Sequence, residues 1–301
     1  MSTDTSADHY QESLRLLLEL HELTTQGQDE SPPADAIREE MEQHWYPLSP
    51  LEQQRITGLS ADLYSIGVDR TEPVNDPPEE LSIHISSLTS HEKWDDLLIA
   101  LREDEDILPP DNVALYRGIS WGYLNYPKVA LIFFEEAARL DPANPNKVLP
   151  YTLELIHADD YDTAMQVVDA ALMIQPNLAE MLCFKGWILL HLSAQLSGQL
   201  NKDQLHQVLK LEHNALELMI ENPPELEYMP QLAQRTIGMC YHLLGQKFLA
   251  RKAYKEALAM DEEDEIARDL LKMLDGKEPM QKVAAYVSEN AAKMIPMRFA
   301  A

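Results

Sequence analysis

A spacing of 34 residues runs through the middle of the chain and limits its fold more than any other feature. Counted from Gly118, residues at offsets of 12, 16, 19 and 24 are Ala130, Phe134, Ala137 and Pro142. The same count from Thr152 reaches Ala164, Val168, Ala171 and Pro176; from Gly238 it reaches Ala250, Tyr254, Ala257 and Glu262, losing only the proline. A repeat of this length is one supersecondary unit that must stack on neighbours to bury its apolar face. Steps of three and four put these residues on one side of a helix. The small residues let two antiparallel helices approach closely, the ring or branched residue fills the space between hairpins, and the proline closes the second helix.

Carried by the stretch GISWGYLNYPKVALIFFEEAARLDP, residues 118–142, the pattern resembles the tetratricopeptide repeat family, which pairs Gly and an aromatic on one helix with Ala, an aromatic, Ala and Pro on the next. The resemblance covers residues 111–264 as four repeats. It departs at Arg117 and Lys185, where the family usually has Leu, and at Thr152, which replaces the Gly. The resemblance implies an all-α protein, a right-handed α-solenoid whose first helices line a concave groove. Its lining is expected to be Leu115, Ile119 and Tyr123, then Leu149, Leu153 and His157, then Phe184, Trp187 and His191, and finally Arg235, Met239 and His242. Family members that grip the acidic tails of heat-shock proteins use Lys, Arg and Asn here, and this chain offers only Arg235. An apolar lining is similar instead to arrays that cradle hydrophobic helices or extended peptides, among them acidic chaperones of bacterial secretion systems. The groove is either open or filled by residues 1–70 or by the tail.

The third repeat is irregular, since Gly186 is followed by its proline, Pro223, only 37 residues later, which implies a 13-residue insertion. Leu192, Leu196, Leu200, Leu205, Val208 and Leu209 keep helical spacing across it, with Gly198 and Asn201 as stop and start signals. An elongated hairpin or a partner-binding prong would both fit. Residues 78–110 read as a degenerate hairpin with Trp94, Leu97 and Leu101 inward and Pro109 at its end. Residues 264–276 form an amphipathic capping helix ended by Gly276.

Residues 1–70 form an acidic helical N-terminal region, separated by a linker, residues 71–77. Within it Ser49, Pro50 and Glu52 spell a capping box before the stripe Leu51, Ile56, Leu59 and Leu63. In the tail, residues 277–301, Val283, Ala284, Val287, Ala291 and Met294 recur at helical spacing beside a modestly basic flank. Such a segment is poorly suited to lie free in water, so docking on its own chain or self-association with a second copy is expected.

The net charge is −27, and residues 1–110 hold 25 acidic against 6 basic residues. That field repels phosphates and anionic lipids, so neither nucleic acid nor membrane is an expected partner. The N-terminus lacks the basic start and unbroken apolar run of a secretory signal, and Cys183 and Cys240 sit singly in apolar helical stretches, which together suggest a soluble, cytoplasmic protein. No nucleophile elbow, phosphate loop, calcium loop or metal-ligand spacing occurs, so no catalytic residue, metal or cofactor is assigned. The expectation is a non-enzymatic scaffold, adaptor or chaperone-like protein that binds another protein or peptide through an apolar helix or extended segment. The alternative is a regulatory or stabilising subunit of an enzyme complex, docked through the acidic N-terminal region.

Overall fold

A computed structural model of the 301-residue chain describes residues 5–67, 78–195, 201–224, 226–276, 278–290 and 295. Among them every regular element is helical. Contacts divide the chain into two compact units, Met1–Leu140 and Asp141–Ala301. The division falls inside the repeats, and the expected linker, residues 71–77, lies outside the described residues. The first unit holds α1 (Thr5–Thr25), α2 (Pro32–Trp45), α3 (Pro50–Tyr64), α4 (Glu79–Ser90), α5 (Trp94–Glu103), α6 (Pro110–Tyr123) and α7 (Pro127–Leu140). The second holds α8 (Pro145–His157), α9 (Tyr161–Ile174), α10 (Ala179–Gln195), α11 (Lys202–Glu221), α12 (Met229–Leu243), α13 (Lys247–Met260), α14 (Glu265–Asp275) and α15 (Met280–Glu289). None of the described helices is long and apolar enough to cross a membrane.

Each tetratricopeptide-like hairpin is built around one close approach. Gly118 on α6 faces the Phe134 ring of α7 so closely that a Cβ would lie 2.5 Å from it; at Gly238 the same atom would lie 2.4 Å from Tyr254. Ala130, Ala164 and Ala250 are wholly buried beside these contacts, as the spacing requires. Thr152 stands in for the glycine by turning its hydroxyl back to the Val148 carbonyl at 2.9 Å, leaving only a methyl to pack. In the third hairpin Gly186 faces Glu212, 26 residues on against 16 in the others. Much of the expected insertion therefore sits within the hairpin, where α10 and α11 run to 17 and 20 residues against 13 to 15 in the hairpins on either side. Leu196, Gly198 and Leu200 fall outside the described residues.

The turns inside the hairpins repeat as faithfully as the contacts. Glu92, Asn125, Asp159 and Gly245 adopt φ of 55°, 68°, 59° and 74°. The next amide reaches back five residues each time: Lys93 to Leu88, Tyr126 to Trp121, Asp160 to Leu155 and Gln246 to Tyr241, at 2.8 to 2.9 Å. These are Schellman caps, which satisfy carbonyls at the end of the first helix and aim the second back along it. In the degenerate hairpin Trp94, Leu97 and Leu101 are buried as expected, in a cluster with Ile85, Leu88 and Val113.

The N-terminal helices belong to the same compact unit as the first repeat. Ser49 and Glu52 close the expected capping box, with Ser49 N–H donating to Glu52 Oε2 at 2.7 Å. Ile56, Leu59 and Leu63 are buried, whereas Leu51, on the first turn, is half exposed and drops out of the stripe. The wholly buried Asp62 carboxylate of α3 pairs with Arg102 and Arg117, each at 2.9 Å, and Arg117 also reaches Glu105 at 2.9 Å. Burial pushes the Asp62 carboxyl up against the pull of those two guanidiniums. Arg55 of α3 grips Asp95 of α5 through two bonds of 2.7 Å. Arg117 departs from the repeat pattern because it anchors this bundle.

Gly238→Ala tests the close approach: a gain of about 1 kcal/mol in helix propensity should be outweighed by overpacking against Tyr254, for a net loss of roughly 1–3 kcal/mol in denaturant unfolding. An unchanged or higher midpoint would remove that contact from the account. Asp62→Ala should cost roughly 1–3 kcal/mol by leaving the buried Arg117 guanidinium with Glu105 as its remaining carboxylate. Adding Arg117→Leu, which restores the residue the repeat pattern expects, should recover part of the loss; an additive double variant would show that the pair does not interact.

Candidate functional site

The first helices of the second unit carry nine of the expected groove residues, and the structure buries that face instead of leaving it open. Phe184, Trp187, Met239, Leu149, Leu153, His191, Arg235 and His242 are each at most 5 % exposed, and His157 is partly buried. Helix α15 of the tail packs on α10 and α12 with Val283, Ala284 and Val287 buried, three positions of the expected apolar stripe. Ala291 and Met294 lie outside the described residues. Beyond α15 the buried Ile295 offers its carbonyl to His157 Nε2 of α8 at 3.2 Å. The tail thus touches α12, α10 and α8 in turn, docked on its own chain.

Polar contacts fix this arrangement. Tyr286 of α15 donates to Asp269 of α14 at 3.4 Å, and Lys282 pairs with Glu278 at 2.9 Å, so the described part of the basic flank is answered within the tail. Arg235 binds Asp264 at 3.3 Å, while Asp264 also caps α14 through the Ala267 amide at 2.9 Å. The basic residue expected to face a ligand instead joins α12 to α14. Trp187 stacks on His191 with ring centroids 5.6 Å apart, and Tyr161, whose hydroxyl donates to Asp159 at 2.8 Å, closes the cluster. Where α15 ends, Ser288 and His191 share an open cleft of about 460 Å³ with Asp159, Asp160 and Asp162.

Burial tunes several groups here. It holds His157, His191 and His242 below the usual imidazole range, favouring neutral rings. On α8, burial pushes Glu154 up to about 7. Glu212, enclosed at the Gly186 contact, is pushed well above the carboxylate range by burial, with the Cys183 thiol beside it. Both cysteines are free and buried, as their apolar settings suggest.

In the first unit the expected groove positions face the preceding hairpin. Ile119 packs on the Trp94 and Leu97 cluster, and Tyr123 stacks on Trp94 with centroids 4.3 Å apart, though 38 % of it stays exposed. Leu115 is partly buried. Family spacing alone could not show this, because it depends on how the degenerate hairpin fills its contact.

No family model and no curated protein matches the chain. Among solved structures it is similar to the C-terminal part of a TPR repeat-containing protein from Cytophaga hutchinsonii, at 14 % identity over 89 % of this chain and 98 % of that one, with a TM-score of 0.45. A thermophilic TPR protein of Thermus thermophilus is 19 % identical over 61 % of this chain and 91 % of its own, with a TM-score of 0.45. The Cut9–Hcn1 assembly of the APC/C is 15 % identical over 86 % and 57 %, with a TM-score of 0.41. Tetratricopeptide repeat proteins are thus among the structures this chain resembles, the family its 34-residue spacing resembles.

Glu154 gives the second unit a pH dependence of known sign. Its folded value of about 7 lies above the usual 4.5, so the folded chain keeps a proton that the unfolded chain has released. That contribution is full below the unfolded value and is lost as pH rises towards the folded one. The buried histidines act oppositely, contributing above the usual imidazole value and failing as pH falls through their lowered ones. Glu154→Gln isolates the carboxyl: thermal midpoints of the variant should exceed those of the parent at pH 8 and converge with them near pH 4.5. A gap independent of pH would mean that Glu154 is not held neutral.

Proposed function

We propose that this protein is a non-enzymatic protein-interaction scaffold whose first-helix face in the second unit takes an amphipathic helix from a partner, and that α15 occupies this face in the free chain. The observation that supports the reading is the burial of Val283, Ala284 and Val287 against α10 and α12. A face that accepts one helix with a narrow apolar stripe has the shape and chemistry to accept another, in the helix-in-groove mode of recognition. The partner segment is a short helix with small and branched residues at i, i+1 and i+4, and a hydroxyl or carbonyl able to meet Asp269 or His157. Whether that capture serves an adaptor or a chaperone follows from the partner, which the face selects by shape.

The test separates the tail from its seat. A labelled peptide of residues 278–295 should bind the chain truncated after Gly276 and fail to bind the full-length protein, with affinity lost at least about tenfold when Val287 becomes Asp. Full-length protein carrying Val283→Asp and Val287→Asp should admit the wild-type peptide, which guards against a truncation that misfolds. Equal peptide binding to full-length and truncated chains, or none to either opened form while both remain helical, would refute the reading.

A further inference from the structure

The helical hairpin at the start of the chain brings together a set of metal-ligating side chains that the interaction face does not use. Helix α1 carries His9 and Glu12 three residues apart, and α2 carries Glu40 and His44 four apart, spacings that put each pair on one side of its helix. The antiparallel turn at Gly27 sets the two pairs face to face: His9 Nδ1 lies 2.8 Å from His44 Nδ1, with ring centroids 5.0 Å apart. Ligand atoms of Glu12, Glu40 and His44 all fall within 4.8 Å of one another, and His9 stands just outside that set, joined to it through His44. All three, with His9, are reachable from solvent, since His9, Glu12 and His44 are partly buried and Glu40 is exposed.

We infer that His9, Glu12, Glu40 and His44 form a binding site for a divalent transition metal of the zinc class, which braces α1 against α2. Two imidazoles and two carboxylates make a nitrogen and oxygen set that suits zinc, cobalt or nickel better than calcium or magnesium, which take oxygen ligands alone. Two ring nitrogens in tetrahedral coordination at the usual zinc distance stand about 3.3 Å apart, so small rotations of the imidazoles from their 2.8 Å contact admit the ion. Without metal, that contact requires one ring nitrogen to carry the proton and donate and the other to be bare and accept. The charge balances as well, with two carboxylates against a dication. Arg15 supplies the outer support, its Nε donating to Glu12 Oε2 at 3.0 Å and its Nη2 to Oε1. Each oxygen keeps a second lone pair, so the guanidinium orients the ligand without consuming it.

The experiment uses the full-length, tag-free chain after treatment with a chelator. Cobalt(II) should bind with one tight equivalent, show the visible absorption of low-symmetry nitrogen and oxygen coordination, yield to stoichiometric zinc, resist millimolar magnesium and calcium, and raise the thermal midpoint. His44→Ala and His9→Ala should each weaken binding by about 100-fold or more while leaving the helical spectrum of the metal-free protein unchanged. Glu40→Gln, at an exposed position, should weaken binding without altering metal-free stability, and Arg15→Ala by roughly 10–100-fold. Undiminished affinity in the His9→Ala, His44→Ala double variant would place the ion on other histidines and overturn the inference, as would displacement of cobalt by magnesium or binding no tighter than the acidic surface at large provides.

Discussion

One close approach per hairpin governs the repeats: a glycine or its substitute on the first helix, and directly across from it the side chain that fills the space. Phe134 and Tyr254 are wholly buried because Gly118 and Gly238 leave them room, and neither side of the contact can grow without the other shrinking. The third hairpin keeps the glycine but exchanges the ring for Glu212, a carboxyl sealed among apolar neighbours. Isolated burial of a carboxylate is far costlier than burial of the neutral acid, so the site selects the protonated form. The longer helices of this hairpin bury Leu205, Val208, Leu209, Ala215 and Met219, apolar surface that offsets the defect.

Charged residues on the first helices of the hairpins, two of them where the repeat usually has Leu, mark where other parts of the chain attach. Arg117 joins Asp62 and Glu105 and thereby holds α3 to α6. Lys185 extends to Asp169 of α9 at 2.5 Å. Arg235 couples α12 to the cap of α14. Leaving a buried guanidinium short of a carboxylate is destabilising, which makes the Arg117 and Arg235 contacts strict in geometry even where their net contribution is small, whereas the Lys185 pair is half open to solvent.

The hairpins were legible in the sequence because contact residues recur at fixed offsets, and the Ser49 box and the Val283, Ala284, Val287 stripe were legible because their causes are local. The turn residues Asn125, Asp159 and Gly245 carried an equally regular signal, seven positions after Gly118, Thr152 and Gly238, with Glu92 hiding it in the degenerate unit. Ile85 precedes Glu92 by the same seven and sets that unit in register through Leu97, Leu101 and Pro109. The near-complete burial of Phe184 and Trp187 was not legible, since spacing places a residue on a face of its helix but does not show what packs over it. Nor was the meeting of His9 with His44, because each helix contributes only two ligands and the loop between them sets their alignment.

Only residues 276–279 separate the end of α14 from the start of α15. A tether so short keeps its helix at an effective concentration in the millimolar range around its seat. On the proposed reading any visiting helix competes with this tethered resident, and its apparent affinity falls in proportion to the fraction of time the seat stands open. On that reading the chain acts as a threshold device: weak and abundant helices are ignored, and admission goes to those that bind tightly or that bring a second foothold elsewhere on the surface.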